Sequence, residues 1–187
     1  MKKLLLAATS ATLLALPASA VLAEGFYIGA SVGESDFDLC SDLTAVGATS
    51  CDDTDTGWKL LGGYQFTQNW GVEGAYVDLG EVTASAPGVG ATVEVDGFSL
   101  VGTASYPFAE QFGVFAKAGA FFWDGEASAT GGGFSAAASD DDDVDVTYGV
   151  GAVYNFSEQV GFRVEWERYD IDGDDVDLIS AGVAVSF

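Results

Sequence analysis

Two carboxylates two positions apart, Glu165 and Glu167, are the first groups in this chain that could do chemistry. On an extended strand such neighbours share a face, so an acid pair for proton transfer is formally available. Nucleophilic catalysis is poorly served, because the chain contains no His to activate a Ser. Arg163 stands beside the pair, and Lys59, Glu73 and Lys117 are further charges set within apolar, alternating segments. Lys59, Lys117 and Arg163 against Glu73, Glu165 and Glu167 is three cations against three acids. In a chain this acidic, random placement would have filled such positions with acid. A buried charge without a partner is very costly. The balanced set therefore reads as a salt-bridge network rather than as an acid–base site.

Acids dominate elsewhere. The chain has 29 Asp and Glu against 6 Lys and Arg, a net charge of −23, which excludes nucleic acid as a natural partner. Asp140, Asp141, Asp142 and Asp143, with Asp145, form one run; Asp170, Asp172, Asp174, Asp175 and Asp177 form another. Carboxylate oxygens suit calcium or magnesium, but neither run has the twelve-residue spacing of an EF-hand. A solvated, mutually repelling surface is the stronger reading. No cofactor is expected.

The N-terminus has the layout of a secretory signal peptide. Lys2 and Lys3 precede an apolar run from Leu4 to Leu16, which Pro17 ends, and small residues follow through Ala20 and Ala23. That run is too short to span a bilayer as a helix. Cleavage after Ala20 or Ala23 is expected, with residues 1–23 as the signal and 24–187 as one domain. Cys40 and Cys51 are the only cysteines. An even pair in an exported chain predicts a disulfide, and two thiols without His make a poor zinc site.

The elements that must position these groups are strands. Gly and aromatics are abundant and Pro is nearly absent. Eight segments alternate with a period of two: residues 25–37, 56–66, 70–80, 92–106, 112–123, 144–156, 160–170 and 176–187. Tyr148, Val150, Ala152 and Tyr154 alternate with Thr147, Gly149, Gly151 and Val153; Phe162, Val164 and Trp166 alternate with Arg163, Glu165 and Glu167. The second face is small, Gly-rich and charged, as a narrow barrel lumen would be. Connections at 67–69, 107–111 and 157–159 are short. Those at 38–55, 81–91 and 125–143 are long, acidic and rich in Gly, Ala and Ser, and that at 171–175 belongs to the same set. Phe66, Trp70, Tyr106, Phe112, Phe156 and Phe187 lie at the short-turn end, and Trp58, Tyr76, Phe98, Phe122, Trp123, Trp166 and Tyr169 towards the other, as two membrane-interface belts would. In lipid every backbone N–H and C=O must pair, which requires a closed barrel. The fold expected is all-β: an eight-stranded antiparallel up-and-down transmembrane β-barrel. With a rise near 3.3 Å and a tilt near 40°, a strand climbs roughly 2.5 Å per residue along the axis. Counted from the short turns, Glu73 and Arg163 sit at similar depth, Lys117 and Glu165 one layer higher, and Lys59 and Glu167 higher still.

The segments Gly25–Ala30, Gly71–Tyr76, Phe162–Tyr169 and Gly182–Phe187, in this order, resemble the OmpA-like and OmpX-like outer-membrane barrels of Gram-negative bacteria. The resemblance covers the whole mature chain. It implies residence in the outer membrane, contact with its lipid and with lipopolysaccharide, and a monomer. It also implies that the terminal Phe187 is part of the signal read by the barrel assembly machinery. Divalent cations bridging the acidic loops to lipopolysaccharide phosphates would be consistent with it. Nothing follows Phe187, so the family's peptidoglycan-anchoring role is not carried over. The function expected is a non-enzymatic barrel that maintains the envelope and exposes acidic loops. The alternatives are a narrow porin-like channel and a surface adhesin.

Overall fold

The computed structural model describes residues 24–37, 50–87, 89–131 and 134–187. Nine strands follow in chain order: β1 Gly25–Asp36, β2 Ser50–Asp52, β3 Thr54–Thr67, β4 Trp70–Ala86, β5 Val89–Pro107, β6 Phe112–Gly131, β7 Phe134–Asn155, β8 Val160–Ile171 and β9 Asp174–Ser186. All pairings are antiparallel. The eight long strands pair in succession and β9 closes on β1, from Tyr27↔Ser186 to Asp36↔Asp177. The short β2 lies outside the barrel ring, against the outer part of β4 at Ser50↔Ser85.

The short turns are closed by local polar groups. Thr67 Oγ1 accepts from the Trp70 amide at 3.1 Å, and Ser157 Oγ from the Val160 amide at 3.1 Å. These are hydroxyls folding back on their own turn. At the other end, Asp172 (φ 53°) and Gly173 (φ 91°) make the turn between β8 and β9, the Asp-Gly pair that a two-residue hairpin with two positive φ angles favours.

Two of the long connections are not loops. Residues 81–91 lie in and around the β4–β5 hairpin, and 125–143 in the β6–β7 hairpin. Their Gly, Ala and Ser content reads as loop. Ladder hydrogen bonds, however, come from the backbone, and strands already held in a barrel extend their pairing through small residues. Pairing runs out to Ala86↔Val89, Val89↔Gly131 and Gly131↔Phe134.

The wall is two-faced. Ile28, Val32, Leu60, Leu100, Val114, Val150, Val164 and Ile179 are exposed on the outer surface. A continuous apolar surface of this kind marks a membrane face. Phe66, Trp70, Tyr106, Phe112, Phe156 and Phe187 are exposed at the short-turn end, and Trp58, Tyr76, Phe98 and Phe122 towards the other. Trp123 and Tyr169 do not belong to that outer belt. Both are buried, because each shares the inward parity of its strand: Trp123 with Lys117 and Phe121, Tyr169 with Glu165 and Glu167.

Parity in β4 is reset by a bulge. Register shifts by one residue between Asp78 and Glu81 of β4, so the inward series Val77, Leu79 continues at Val82. Gly80 sits in the bulge at φ +80°. Its amide donates to Asp78 Oδ1 at 2.9 Å, and the Glu81 amide donates to Asp55 Oδ2 at 2.8 Å. Left-handed backbone disfavours a Cβ, so Gly80→Ala is expected to cost about 1–2 kcal/mol. Urea unfolding of the protein refolded in lipid vesicles measures this; an unchanged midpoint would contradict the assignment of Gly80 to a required left-handed site.

Candidate functional site

The interior of the barrel is the site. At mid-height, β3 contributes Lys59, β4 Glu73, β6 Lys117, and β8 Arg163, Glu165 and Glu167, all of them buried. Arg163 Nη1 donates to Glu73 Oε2 at 2.7 Å, and Arg163 Nε faces Glu165 Oε1 at 2.8 Å in an ion pair without hydrogen-bond alignment. Lys117 Nζ reaches Glu165 Oε2 at 2.5 Å, Glu167 Oε1 at 2.6 Å and Glu73 Oε1 at 3.3 Å. Lys59 Nζ lies 2.7 Å from Glu165 Oε2 and also pairs with Glu167 Oε2. The six groups form one connected cluster with balanced charge. Every carboxylate in it has a cation within reach, which is the condition for burying charge at tolerable cost.

Space for this cluster comes from the other strands. β1, β7 and β9 present Gly29, Ser31, Gly149, Gly151, Ser180 and Gly182 to the lumen. At Gly149, which pairs with Glu167, a Cβ would meet the Trp166 carbonyl oxygen at 2.6 Å and Glu167 Cγ at 2.7 Å, so the neighbouring strand must be bare beside that acid.

Aromatic groups outside the sequence-derived set complete the cluster. Tyr27 Oη donates to Glu73 Oε2 at 2.9 Å and Tyr169 Oη to Glu167 Oε1 at 3.1 Å. The Arg163 guanidinium lies 4.8 Å from the Phe115 ring centroid and 5.9 Å from that of Tyr27, within cation–π range. Phe115 shares the parity of Lys117 on β6 and Tyr169 that of Glu165 and Glu167 on β8, so counting in twos would have found them; Tyr27 lies across from Gly63, which in turn pairs with Glu73.

Towards the outer end the lumen is apolar. Phe37, Leu61, Ala75, Val77, Leu79, Val82, Val95, Phe121, Trp123, Tyr169, Val176 and Leu178 form one buried cluster. Phe121 and Tyr169 pack with centroids 4.7 Å apart and their planes tilted by 59°, and Trp123 Nε1 donates to Asp145 Oδ2 at 3.0 Å. Towards the short-turn end a cavity is lined by Gln65, Glu73, Thr103, Asn155 and Arg163, among others. Gln65 Nε2, Thr103 Oγ1 and Asn155 Nδ2 are buried there without a protein hydrogen-bond partner, which makes the cavity polar. The lumen is thus layered: a polar vestibule, a neutralised charge cluster, and an apolar outer core.

The remaining candidate residues fall outside the lumen. Phe187 is 72% exposed, with its amide donating to the Phe26 carbonyl at 2.9 Å. Cys40 lies outside the described residues, and of Cys51 only the backbone is described, paired with Ala84. Asp140, Asp141, Asp142 and Asp143 are in β7, and the backbones of Asp141 and Asp142 pair with Gly125 and Asp124. Asp170 is near the end of β8 and Asp172 is in the β8–β9 turn, where Asp170 Oδ1 accepts from the Gly173 amide at 3.2 Å. Asp174 pairs across it with Ile171, and Asp175 is held by Arg168 at 2.7 Å. Among the described residues no three acids gather into a metal-holding group.

The family described as outer membrane protein beta-barrel domain matches residues 4–187. The chain belongs to this family. As an outer-membrane β-barrel it is 28% identical over 172 residues to Outer membrane protein A of Yersinia pseudotuberculosis serotype I (strain IP32953). That match covers 87% of this chain and 48% of the relative, so the chain spans about half that relative's length. The crystal structure of Ail, the attachment invasion locus protein of Yersinia pestis, aligns with TM-score 0.57 and 18% identity over 88% of this chain and 100% of Ail. OprG of Pseudomonas aeruginosa aligns with TM-score 0.52 and 13% identity over 88% of this chain and 98% of OprG. At these identities the two structures share the fold. The outer-membrane β-barrel family and the lipid-facing belts place the chain in the bacterial outer membrane.

Proposed function

We propose that this chain is a non-enzymatic, closed barrel that contributes to the integrity of the outer membrane and meets the outside through its outer hairpins. The observation that carries this reading is the filled lumen: among the described residues, the paired charges from Lys59 to Glu167 lie beneath an apolar core, and together they fill the middle and outer parts of the barrel. An apolar constriction opposes conduction by excluding water, and the layer around Phe121, Leu79 and Leu178 is one. A non-enzymatic role is supported by the absence of His from the chain and by the pairing of each lumen carboxylate with a cation. The partners that suit the surface are lipid and lipopolysaccharide around the belts, and the barrel assembly machinery at the β9 end with Phe187. The uninterrupted lipid face suits a monomer.

A strain lacking this protein tests the role. Greater leakage of periplasmic contents under detergent stress is expected, restored by the full chain and equally by a chain whose hairpin 125–143 is cut to a short turn. An intact envelope without the protein would refute the structural reading. Rescue by the full-length hairpin alone would favour adhesion.

Cys40 and Cys51 are proposed to be joined. The loop they would close is about a dozen residues, worth about 3 kcal/mol in the chain-entropy account, and β2 fixes one end of it against β4. Mass spectrometry without reductant should find a single cross-linked peptide; two alkylatable thiols would contradict the pairing.

A further inference from the structure

At the short-turn end, polar side chains reach into the lumen from opposite sides. Gly71 of β4 lies in one row with Gln65 of β3 and Thr103 of β5. Gly161 of β8 lies in one row with Asn155 of β7 and Ala184 of β9. β4 and β8 are opposite members of the barrel ring, and each glycine stands two residues before a member of the Glu73–Arg163 pair. A Cβ at Gly71 would meet Gln65 Oε1 at 2.5 Å and Thr103 Oγ1 at 2.9 Å, and one at Gly161 would meet Asn155 Oδ1 at 2.9 Å. The glycines therefore make room for the polar arms beside them to turn inward. Gln65 and Thr103 are only 4% and 5% exposed, yet Gln65 Nε2, Thr103 Oγ1 and Asn155 Nδ2 lack a protein partner. A buried polar group left unpaired is costly. Three of them around one cavity mark a place where a bound molecule completes the hydrogen bonds. The cavity is about 60 Å³, room for roughly four to six groups of water size at 10–15 Å³ each.

We propose that this cavity binds a small neutral polyol from the periplasm, held through vicinal hydroxyls between Gln65 and Thr103 on one side and Asn155 on the other. The short-turn end is the periplasmic one in barrels of this kind. Charge disfavours an ion. The floor is the Glu73–Arg163 pair, with Arg163 Nη1 and Nε already turned to Glu73 and Glu165. The other cations among the described residues are engaged as well: Lys59 and Lys117 by the lumen acids, Arg168 by Asp175 and Asp177. An entering anion finds no free countercharge and passes Glu158 in the cavity wall. An entering cation meets amide N–H groups and Arg163. Hydroxyls suit the arms, because each carboxamide offers a donor beside an acceptor and an O–H both donates and accepts. The rings of Tyr27 and Phe115, which also line the cavity, give the C–H groups of a polyol an apolar wall. A three-carbon polyol matches the volume. The site lies on the periplasmic side of the charge cluster, so it goes beyond the closed-barrel reading and needs no path through the lumen.

The test uses the full chain in lipid nanodiscs, with glycerol as the probe and NMR of the Gln65 and Asn155 side-chain amides as the readout. Glycerol is expected to shift both amides saturably. Propane-1,3-diol, which lacks vicinal hydroxyls, and acetate, which is an anion, are expected to bind about tenfold more weakly or less. Glucose carries vicinal hydroxyls on a ring too large for the cavity and is expected to leave both amides unshifted. Gln65→Leu combined with Asn155→Leu removes both arms and is expected to weaken glycerol binding about tenfold or more, read at the backbone amides of Thr103 and Gly161. Where that variant no longer shifts its gel mobility on boiling, Gly161→Ala replaces it: every polar group stays, Asn155 is pushed aside, and binding is again expected to weaken. Absence of a saturable shift with glycerol would overturn the proposal. So would equal binding of propane-1,3-diol or glucose, tighter binding of acetate, or unchanged affinity in a folded variant.

Discussion

Replacing Arg163 by Ala is expected to cost the folded barrel about 3–5 kcal/mol, the usual penalty for removing one partner of a buried ion pair. Arg163 touches both Glu73 and Glu165, at 2.7 and 2.8 Å. Without it three acids face two lysines, and Glu73 keeps only Lys117 at 3.3 Å and the Tyr27 hydroxyl. The guanidinium also fills the space between Phe115 and Tyr27, so the substitution opens a gap as well as stranding a charge. The two effects separate in a second variant. Arg163→Ala with Glu73→Gln restores charge balance and is expected to recover part of the loss. Urea unfolding in lipid vesicles, followed by tryptophan fluorescence, measures both. A loss below about 1 kcal/mol for Arg163→Ala, in the range of an exposed pair, would mean that the cluster is solvated and not closed.

Phe121→Ala is expected to cost about 3–5 kcal/mol, the range for emptying a packed aromatic site. Phe121 is fully buried, and its ring packs against Tyr169, which in turn hydrogen-bonds Glu167. The substitution leaves a cavity between the apolar core and the charge cluster. The neighbouring Phe122 provides the control, since it faces lipid. Lipid closes over an Ala there, so Phe122→Ala should lose the transfer contribution alone, about 1.5–3 kcal/mol. Equal losses at the two positions, or a greater loss at Phe122, would contradict the inward assignment of Phe121 and with it the apolar layer.

Much of this arrangement was legible in the residues. The strand number follows from period-two segments and short turns. The relative depths of Glu73 with Arg163, Lys117 with Glu165 and Lys59 with Glu167 follow from counting along strands from those turns. Parity was also enough to turn Trp123 and Tyr169 inward, but their nearness to the outer interface suggested a belt. An aromatic at the right height is in the belt only if its parity points outward. The apolar outer core was hidden for a related reason. At mid-membrane the inward face is dominated by Gly and charge, while Val77, Leu79, Phe121, Val176 and Leu178 continue the same parity further out. The bulge at Gly80, which passes the inward series to Val82, depends on the pairing of β4 with β5 and has no marker in β4 beyond the glycine itself. The hairpins between Glu81 and Ala91 and between Gly125 and Asp143 were obscured by composition. Small residues are poor strand formers alone, yet they pair readily when the barrel already holds the two strands in register. Which oxygen meets which nitrogen in the cluster depends on the stagger between strands, and only the closed barrel fixes that.

The central claim is that the lumen is filled from the Glu73–Arg163 pair to the Phe121 layer and does not conduct. Planar-bilayer recording on the unmodified protein tests it most directly, using a folded sample whose gel mobility shifts on boiling. The account predicts a baseline indistinguishable from the bare bilayer, without steady openings; a large, sustained conductance in every folded preparation would contradict it.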